Sequence, residues 1–379
     1  MAAGLHLGKF GPQSLAASAL PGILKSFDKP WTGTIDDELV AEARCHDVGP
    51  LVYHAIAHAG GWDRQSSKAH EAFSQMAAEA ALFEELNGQQ VRRVLAALTA
   101  AGLAPLVFKG AALAYSHYPR PWLRPREDTD LIVREDDADE AAAIFERLGY
   151  SRVPRPTGDL VTHQFAYRTT AHGICHEFDV HWRISDPQVF SDVLSYQDLD
   201  HESVPLPPLG AGARAIGDAH ALIVACTHRV AHHYDTESLL WLYDIDLLAR
   251  QLDGRGWTLV TAIAADKQIR QVCSRGLSLS ARLFGTPVPA GVCEFLARGP
   301  DVEPTAAYLR DGLRRVDLLQ SDLRALNGWS ARAKLLREHL FPPPAYILKS
   351  YGQTRGFLLP ALYVHRIVRG AVDWLRPLR

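Results

Sequence analysis

Two aspartates two residues apart are the strongest candidates for chemistry in the sequence. Asp128 and Asp130 fall in a predicted strand, where side chains at this spacing leave the same face of the sheet. Carboxylates about 4 Å apart repel by roughly 4 kcal/mol at an effective dielectric constant near 20, so the pair favours a shared proton or a bound cation. Carboxylate oxygens are ligands that Mg²⁺ prefers. The plainer alternative is a solvated start of a strand.

A later predicted strand carries a third aspartate. Polar and apolar residues alternate along it, with Glu177, Asp179 and His181 on one face and Phe178, Val180 and Trp182 on the other. This alternation is typical of a strand with one side on a core. If the two strands are adjacent, Asp179 faces the first two acids. His181 then orients that acid or an acceptor, or is an inert histidine on the sheet surface.

Two cationic residues are candidates for binding phosphate. Lys109-Gly110 lies where an apolar run predicted as a strand, Leu106–Phe108, gives way to a predicted helix. Free N–H groups and the helix dipole attract anions at such a junction, and Gly110 permits close approach. Arg124 follows in a loop rich in proline and arginine. The alternatives are an ordinary surface lysine and ordinary loop charges.

The elements that must position these residues divide the chain into four regions. We predict an N-terminal helical region over 1–102, an α/β core over 103–205, a helical module over 206–300 and a basic helical tail over 301–379. The boundary after the core rests on a cluster of chain-breaking residues, Pro205, Pro207, Pro208, Gly210 and Gly212.

Composition excludes several classes of protein. The 379 residues are 47% hydrophobic and 22% charged, as in a globular protein, and the net charge of −3 gives no global sign of nucleic-acid binding. Five cysteines without a CxxC pair, in a chain without a signal peptide, predict a reducing cytoplasm. The longest apolar runs fall short of the roughly 20 residues that span a bilayer, so we expect no transmembrane segment.

Four sequence pieces together resemble a known family. They are Phe108-Lys109-Gly110-Ala111-Ala112-Leu113, Arg124, Asp128-Thr129-Asp130-Leu131-Ile132-Val133 and Phe178-Asp179-Val180-His181-Trp182. Over residues 47–252 the chain is similar to the uncharacterised nucleotidyltransferase-like family of bacterial proteins, a branch of the polymerase-beta-type superfamily. The resemblance implies an α+β fold: a nucleotidyltransferase-like mixed β-sheet core with N- and C-terminal helical regions.

The resemblance also implies an activity and a set of site residues. It implies Mg²⁺-dependent transfer of a nucleoside monophosphate from an NTP to a small-molecule, sugar or peptide acceptor. Asp128, Asp130 and Asp179 would be the metal ligands, with Asp179 alternatively a general base, and Lys109, Gly110 and Arg124 would hold phosphate. Lys109-Gly110 stands where relatives usually carry Gly-Ser. A non-catalytic nucleotide-binding or scaffold protein of a biosynthetic cluster, and a modifier that attaches AMP to a protein partner, are the alternatives.

Two features of the helical regions leave alternatives open. His228 and His232 have the i, i+4 spacing of a zinc site, but Arg229 stands where a zinc-protease helix has glutamate, so helix packing is favoured for them and for His233. Asp244 is either a packing residue or a contribution of the helical module to the site.

The tail is strongly basic. Residues 332–379 contain nine lysines and arginines against two acids. Within it, residues 358–375 carry Arg366 and Arg369, with Arg376 just beyond, at near-helical spacing, which is compatible with weak contact to a membrane surface. The alternative is a helix docked on its own protein with a basic outer face.

Overall fold

The computed structural model describes residues 15, 18–25, 31–156, 158–298 and 303–378. Helices dominate the described residues on either side of a central group of strands. Their bounds are α1 Leu20–Lys25, α2 Asp37–Cys45, α3 Gly49–His58, α4 Ser67–Ala100, α5 Lys109–Ser116, α6 Ala138–Arg147, α7 Gln188–Ser191, α8 Tyr196–His201, α9 Asp218–Ala231, α10 Leu239–Gln251, α11 Gly254–Asp266, α12 Arg270–Phe284, α13 Ala290–Ala297, α14 Arg315–Ala325, α15 Trp329–Leu340, α16 Pro344–Ser350 and α17 Leu359–Leu375.

One mixed sheet of seven strands lies between these helical regions. Its strands are β1 Leu106–Val107, β2 Asp128–Ile132, β3 Ser151–Arg152, β4 Gln164–Ala171, β5 Ile174–His181, β6 Val204–Pro205 and β7 Arg214–Ala215. Their order is β3-β4-β5-β2-β1-β7-β6, and β2–β5 and β1–β7 are the parallel pairs. The predicted α+β fold, a mixed sheet with helical regions on both sides in sequence, is therefore confirmed.

The two faces of the sheet bury different residues. On one face, Leu106, Phe108 and Ile132 join a core that also contains α1–α3 and α9–α12. On the other face, Leu131 and Phe178 pack with the C-terminal half of α4 and with α6. Because side chains alternate along a strand, this arrangement leaves the acidic residues of β2 and β5, together with His181, on the first face.

Strand ends and short strands differ from the sequence-based expectation. The sequence predicts strands over 161–168 and 175–183 joined by a short turn at 171–173. β4 and β5 pair as a hairpin there, with a two-residue turn, His172-Gly173, that has positive φ at both residues, but β4 begins and ends three residues later than expected. The β6–β7 hairpin joins the sheet through β1 and crosses the predicted boundary at residue 205. The division into four regions stays a prediction.

The C-terminal region packs on itself and, through α14, against α7. The N–H of Leu378 donates to the carbonyl of Leu313 at 2.7 Å, and α17 packs against α14 and α16. Across the described ranges, none of the helices is both long enough and apolar enough to cross a membrane.

Candidate functional site

The register of β2 and β5 brings the acids together. The two strands are parallel neighbours in which Asp130 pairs with Asp179 and Asp128 with Glu177. The adjacency on which a third facing acid depended is therefore present in the structure. His181 lies two residues beyond Asp179 on the same face.

Asp130 is the centre of the site. Its Oδ1 accepts a hydrogen bond from Lys109 Nζ at 2.8 Å and lies 3.0 Å from His181 Nε2. Burial alone would raise the pKa of Asp130, but the Lys109 ammonium and the His181 hydrogen bond outweigh burial and hold that pKa well below its usual range. Asp130 is therefore ionised at neutral pH.

Asp179 and Asp128 have the opposite electrostatic environment. Oδ2 of Asp179 accepts from Arg155 Nη1 and Gln164 Nε2, both at 3.1 Å, whereas its buried Oδ1 has no donor among the described residues. Burial and the charge of Asp130 raise the pKa of Asp179 to about 6. Burial, Asp130 and Asp179 raise the pKa of half-buried Asp128 to about 7. Carboxylates with raised pKa values indicate a place where added positive charge is stabilising.

Three of these side chains fit a divalent cation. Asp130, Asp179 and His181 each offer one ligand atom, and the three atoms lie within 4.8 Å of one another. Burial and the Lys109 charge lower the pKa of His181 to about 4, so the imidazole is neutral and able to coordinate. The unpartnered Oδ1 of Asp179 supplies a free ligand atom. Asp128 borders this group without belonging to it.

Lys109-Gly110 begins α5 beside Asp130. Lys109 has φ +52°, the left-handed region, and directs its ammonium onto Asp130. A Cβ at Gly110 would overlap the guanidinium of Arg124. The glycine thus admits the arginine, and its predicted approach to a phosphate stays a prediction.

Arg124 is held by the helical module. Its Nη2 and Nε donate to the two carboxylate oxygens of Asp244 at 2.8 and 3.4 Å, and its Nη1 donates to the carbonyl of Pro125 at 3.1 Å. The Tyr118 hydroxyl also donates to Asp244, at 2.8 Å. All three guanidinium nitrogens therefore have acceptors, and the predicted phosphate contact of Arg124 stays a prediction. Asp244 from α10 anchors the loop that leads into β2.

Comparison with known proteins decides the family. A sequence model of the family described as uncharacterised nucleotidyltransferase matches residues 34–285. The chain belongs to this family. The match includes every residue of the Asp130–Asp179–His181 group and ends at residue 285, within the region predicted as a helical module. It confirms the family resemblance and supports a role in nucleotidyl transfer. No curated protein matches the chain.

The candidate site contains one arginine that sequence reasoning missed. Arg155 donates to Asp179 at 3.1 Å and to Glu177 at 3.2 Å, and its side chain is 34% exposed. It lies after Pro154 in an irregular segment between β3 and β4, where no spacing pattern connects it with the acids. Gln164, the first residue of β4, was missed as well, because its spacing in the sequence does not connect it with the acids. Only the pairing of β4 with β5 brings it to Asp179.

A histidine cluster at the C-terminal end of α9 lies near the candidate site. His228 and His233 approach at 3.2 Å between their Nε2 atoms, and His232 Nε2 contacts the Ser185 hydroxyl at 2.9 Å. Burial and the positive charge of Lys109 hold the pKa values of His228 and His232 well below their usual range. These histidines are neutral at pH 7. In the described part of the chain they belong to no cluster of three potential metal ligands.

Proposed function

We propose that the protein is a Mg²⁺-dependent nucleotidyltransferase. It transfers a nucleoside monophosphate from an NTP to a hydroxyl or phosphate of a small-molecule, sugar or peptide acceptor, and pyrophosphate leaves. The observation that carries the proposal is the buried Asp130–Asp179–His181 group in a chain of a nucleotidyltransferase family. An NTP donor and cysteines without disulfides both fit a cytoplasmic location.

Each acid has a role in this proposal. Asp130 and Asp179 bind the metal, and Asp128 supplies a third carboxylate from the exposed side of the group. We assign Asp179 as a ligand rather than as the general base because its Oδ1 has no hydrogen-bond donor. When bound, Mg²⁺ neutralises charge on the phosphate oxygens and orients the donor for in-line attack by the acceptor.

The cations of the site bind the phosphates. Lys109 donates to the Asp130 carboxylate that would hold the metal, and its ammonium would be free to contact a phosphate oxygen once a cation occupied that carboxylate. Arg155 pairs with Asp179 at the partly exposed edge of the group and presents a planar guanidinium suited to phosphate. Two further residues contribute to phosphate binding in this proposal: Gly110 through its backbone N–H at the start of α5, and Arg124 through its side chain in the loop before β2.

Thermal unfolding with each of the four NTPs, with and without Mg²⁺, tests the proposal without an acceptor. A ligand at about 100 times its dissociation constant stabilises a protein by roughly 2.7 kcal/mol. We expect one NTP to raise the melting temperature of the wild type only with Mg²⁺, and the Asp128→Asn/Asp130→Asn double variant to lose this shift. Asp139→Asn, at an exposed position of α6, is the matched control and should keep it.

Pyrophosphate release and transfer of a labelled α-phosphate, measured with a small-molecule cell extract as acceptor source, then test catalysis. No stabilisation by any NTP would contradict the nucleotide site. Binding without pyrophosphate release or label transfer would instead indicate a non-catalytic nucleotide-binding or scaffold protein, which the Lys109-Gly110 pair favours. Label appearing on a protein would indicate the AMP-transferring modifier.

A further inference from the structure

Helix α17 exposes a continuous apolar stripe. Phe357, Val364, Val368 and Leu375 are 74, 62, 66 and 61% exposed. Val364, Val368 and Leu375 are separated by four and seven residues, which is close to one and two helical turns, so they lie along one line of the helix surface. Phe357 lies in the short turn Gly356–Leu358 just before the helix. Ala361, also exposed, falls on the same line. Isolated exposed apolar residues are ordinary, but a stripe of this length is a mark of an interaction surface.

The opposite side of α17 faces the protein. Tyr363, Arg366, Gly370 and Trp374 are half-buried and recur every three or four residues. The Tyr363 hydroxyl donates to the carbonyl of Pro342, and the Trp374 ring lies 6.0 Å from that of His339. The helix is therefore docked by one side, and the apolar stripe on its other side is left to an external partner.

Basic residues lie beside the stripe. Residues 332–379 have an excess of seven basic over acidic residues in a protein whose net charge is −3. Arg355 and Arg369 are exposed, and neither forms an ion pair with a described carboxylate. Arg369 lies one residue after Val368 and so borders the stripe. Charges without internal partners attract an anionic surface.

We propose that the stripe of α17 binds the surface of an anionic lipid bilayer, with the helix lying in the interfacial plane. An apolar stripe bordered by arginines is the pattern of interfacial helices, which combine apolar burial with attraction to anionic headgroups. A second copy of the chain is a poorer partner, because a twofold contact would bring two basic tails together. The proposal is independent of the proposed nucleotidyl transfer.

Co-sedimentation of the full chain with lipid vesicles tests the proposal. We expect binding to vesicles containing 30% phosphatidylglycerol in phosphatidylcholine, weakening as salt rises, and little binding to pure phosphatidylcholine. Val364→Asp/Val368→Asp should lower the partition coefficient at least tenfold, and Arg355→Gln/Arg369→Gln severalfold. Leu82→Asp, which alters an exposed leucine of α4, is the matched control and should bind as the wild type does.

Melting temperature, and light scattering after size exclusion, distinguish a lost surface from a lost fold. The Val364→Asp/Val368→Asp variant should melt within a few degrees of the wild type, because both side chains are mostly exposed. Three results would overturn the proposal: no binding to anionic vesicles, equal binding by a folded Val364→Asp/Val368→Asp variant, or a wild-type dimer that this variant dissociates. The last would show that α17 contacts a second copy.

Discussion

Lys109 can pair with either of two anions: the Asp130 carboxylate, which it contacts in the structure, and the phosphate of an NTP donor in the proposed function. Its ammonium is buried, and the attraction of Asp130 raises its pKa despite the opposing effect of burial. It therefore stays charged and neutralises Asp130 while no metal is bound. A divalent cation must share or displace this interaction, so the residue that prepares the site also competes with its metal.

Replacing the lysine separates these two effects. In Lys109→Met we expect Mn²⁺ to bind severalfold more tightly in the absence of nucleotide, because the competing ammonium is gone. NTP affinity with Mg²⁺ should fall about tenfold or more, because a charge-assisted phosphate contact is lost. Paramagnetic resonance measures free Mn²⁺, and fluorescence titration measures the NTP. Lys68→Met, at an exposed lysine, should change neither, and an unaltered NTP affinity in Lys109→Met would exclude a phosphate contact.

Asp128 gives the metal-free protein a pH dependence of known sign. The pKa of Asp128 is about 7 in the folded protein, whereas that of an aspartate in an unfolded chain is about 3.9. Between these values the folded state binds more protons, so the stability contributed by this group falls as pH rises. Asp128→Asn removes the titration. We expect the variant's unfolding free energy to gain about 2 kcal/mol relative to wild type between pH 5 and pH 8.

Denaturant unfolding in EDTA measures this difference, and subtraction of the two proteins cancels the shared histidine titrations. Excess Mg²⁺ should reverse the advantage of the variant at pH 8, because the cation stabilises the ionised wild-type carboxylate. If the variant's gain in unfolding free energy over wild type were equal at both pH values, ionisation of Asp128 would not destabilise the folded protein.

At the scale of elements, the Arg124–Asp244 pair joins the loop before β2 to helix α10. The pair is buried, and its positions are 120 residues apart in sequence. Removing one partner of a buried ion pair leaves the other charge without compensation and costs about 3–5 kcal/mol, although the intact pair need not contribute that much. The stability of this link is therefore sensitive to loss of either charge.

We expect Asp244→Asn to lower the free energy of unfolding by about 3 kcal/mol. Tyr118→Phe is the matched comparison, since it removes one hydrogen bond to the same carboxylate and should cost about 1 kcal/mol. Denaturant unfolding of both variants measures the difference. Equal and small effects would mean that the pair is not a structural link, and an Asp244→Asn protein of normal stability but without NTP binding would show that Asp244 serves to orient Arg124 for the proposed phosphate contact.

Whether a feature could be predicted from the sequence depends on how far apart in the sequence the interacting residues lie. The acids of β2 and β5 were predictable because alternation within a strand fixes which side chains share a face. That Asp130 stands opposite Asp179 depends on strand pairing, which the family resemblance implied and periodicity did not. Arg155 and the Asp244 link were beyond prediction, since both are charge pairs between segments distant in sequence. The two-residue strands β6 and β7 are too short to show alternation.

At the scale of the whole molecule, the C-terminal region holds a segment that leads to the site. Glu338 of α15 accepts hydrogen bonds from the backbone N–H groups of Asp159, at 3.2 Å, and Leu160, at 2.9 Å. A Cβ at Gly158 would overlap the Glu338 carboxylate, so the contact is close. This segment continues from Arg155, which contacts Asp179. We infer that the tail, by holding the backbone at 159 and 160, limits the freedom of the arginine that we assign to phosphate binding.

Loss of this restraint should reduce nucleotide affinity from a distance. In Glu338→Ala we expect the NTP dissociation constant with Mg²⁺ to rise about three- to tenfold, because Arg155 must then be ordered at the cost of binding energy. Lys334→Ala removes only the exposed ion pair with Asp159 and should have little effect. Fluorescence titration measures both. If Arg155→Ala weakens NTP binding and adding Glu338→Ala weakens it no further, the two residues act through one segment, whereas additive losses would show that Glu338 acts elsewhere.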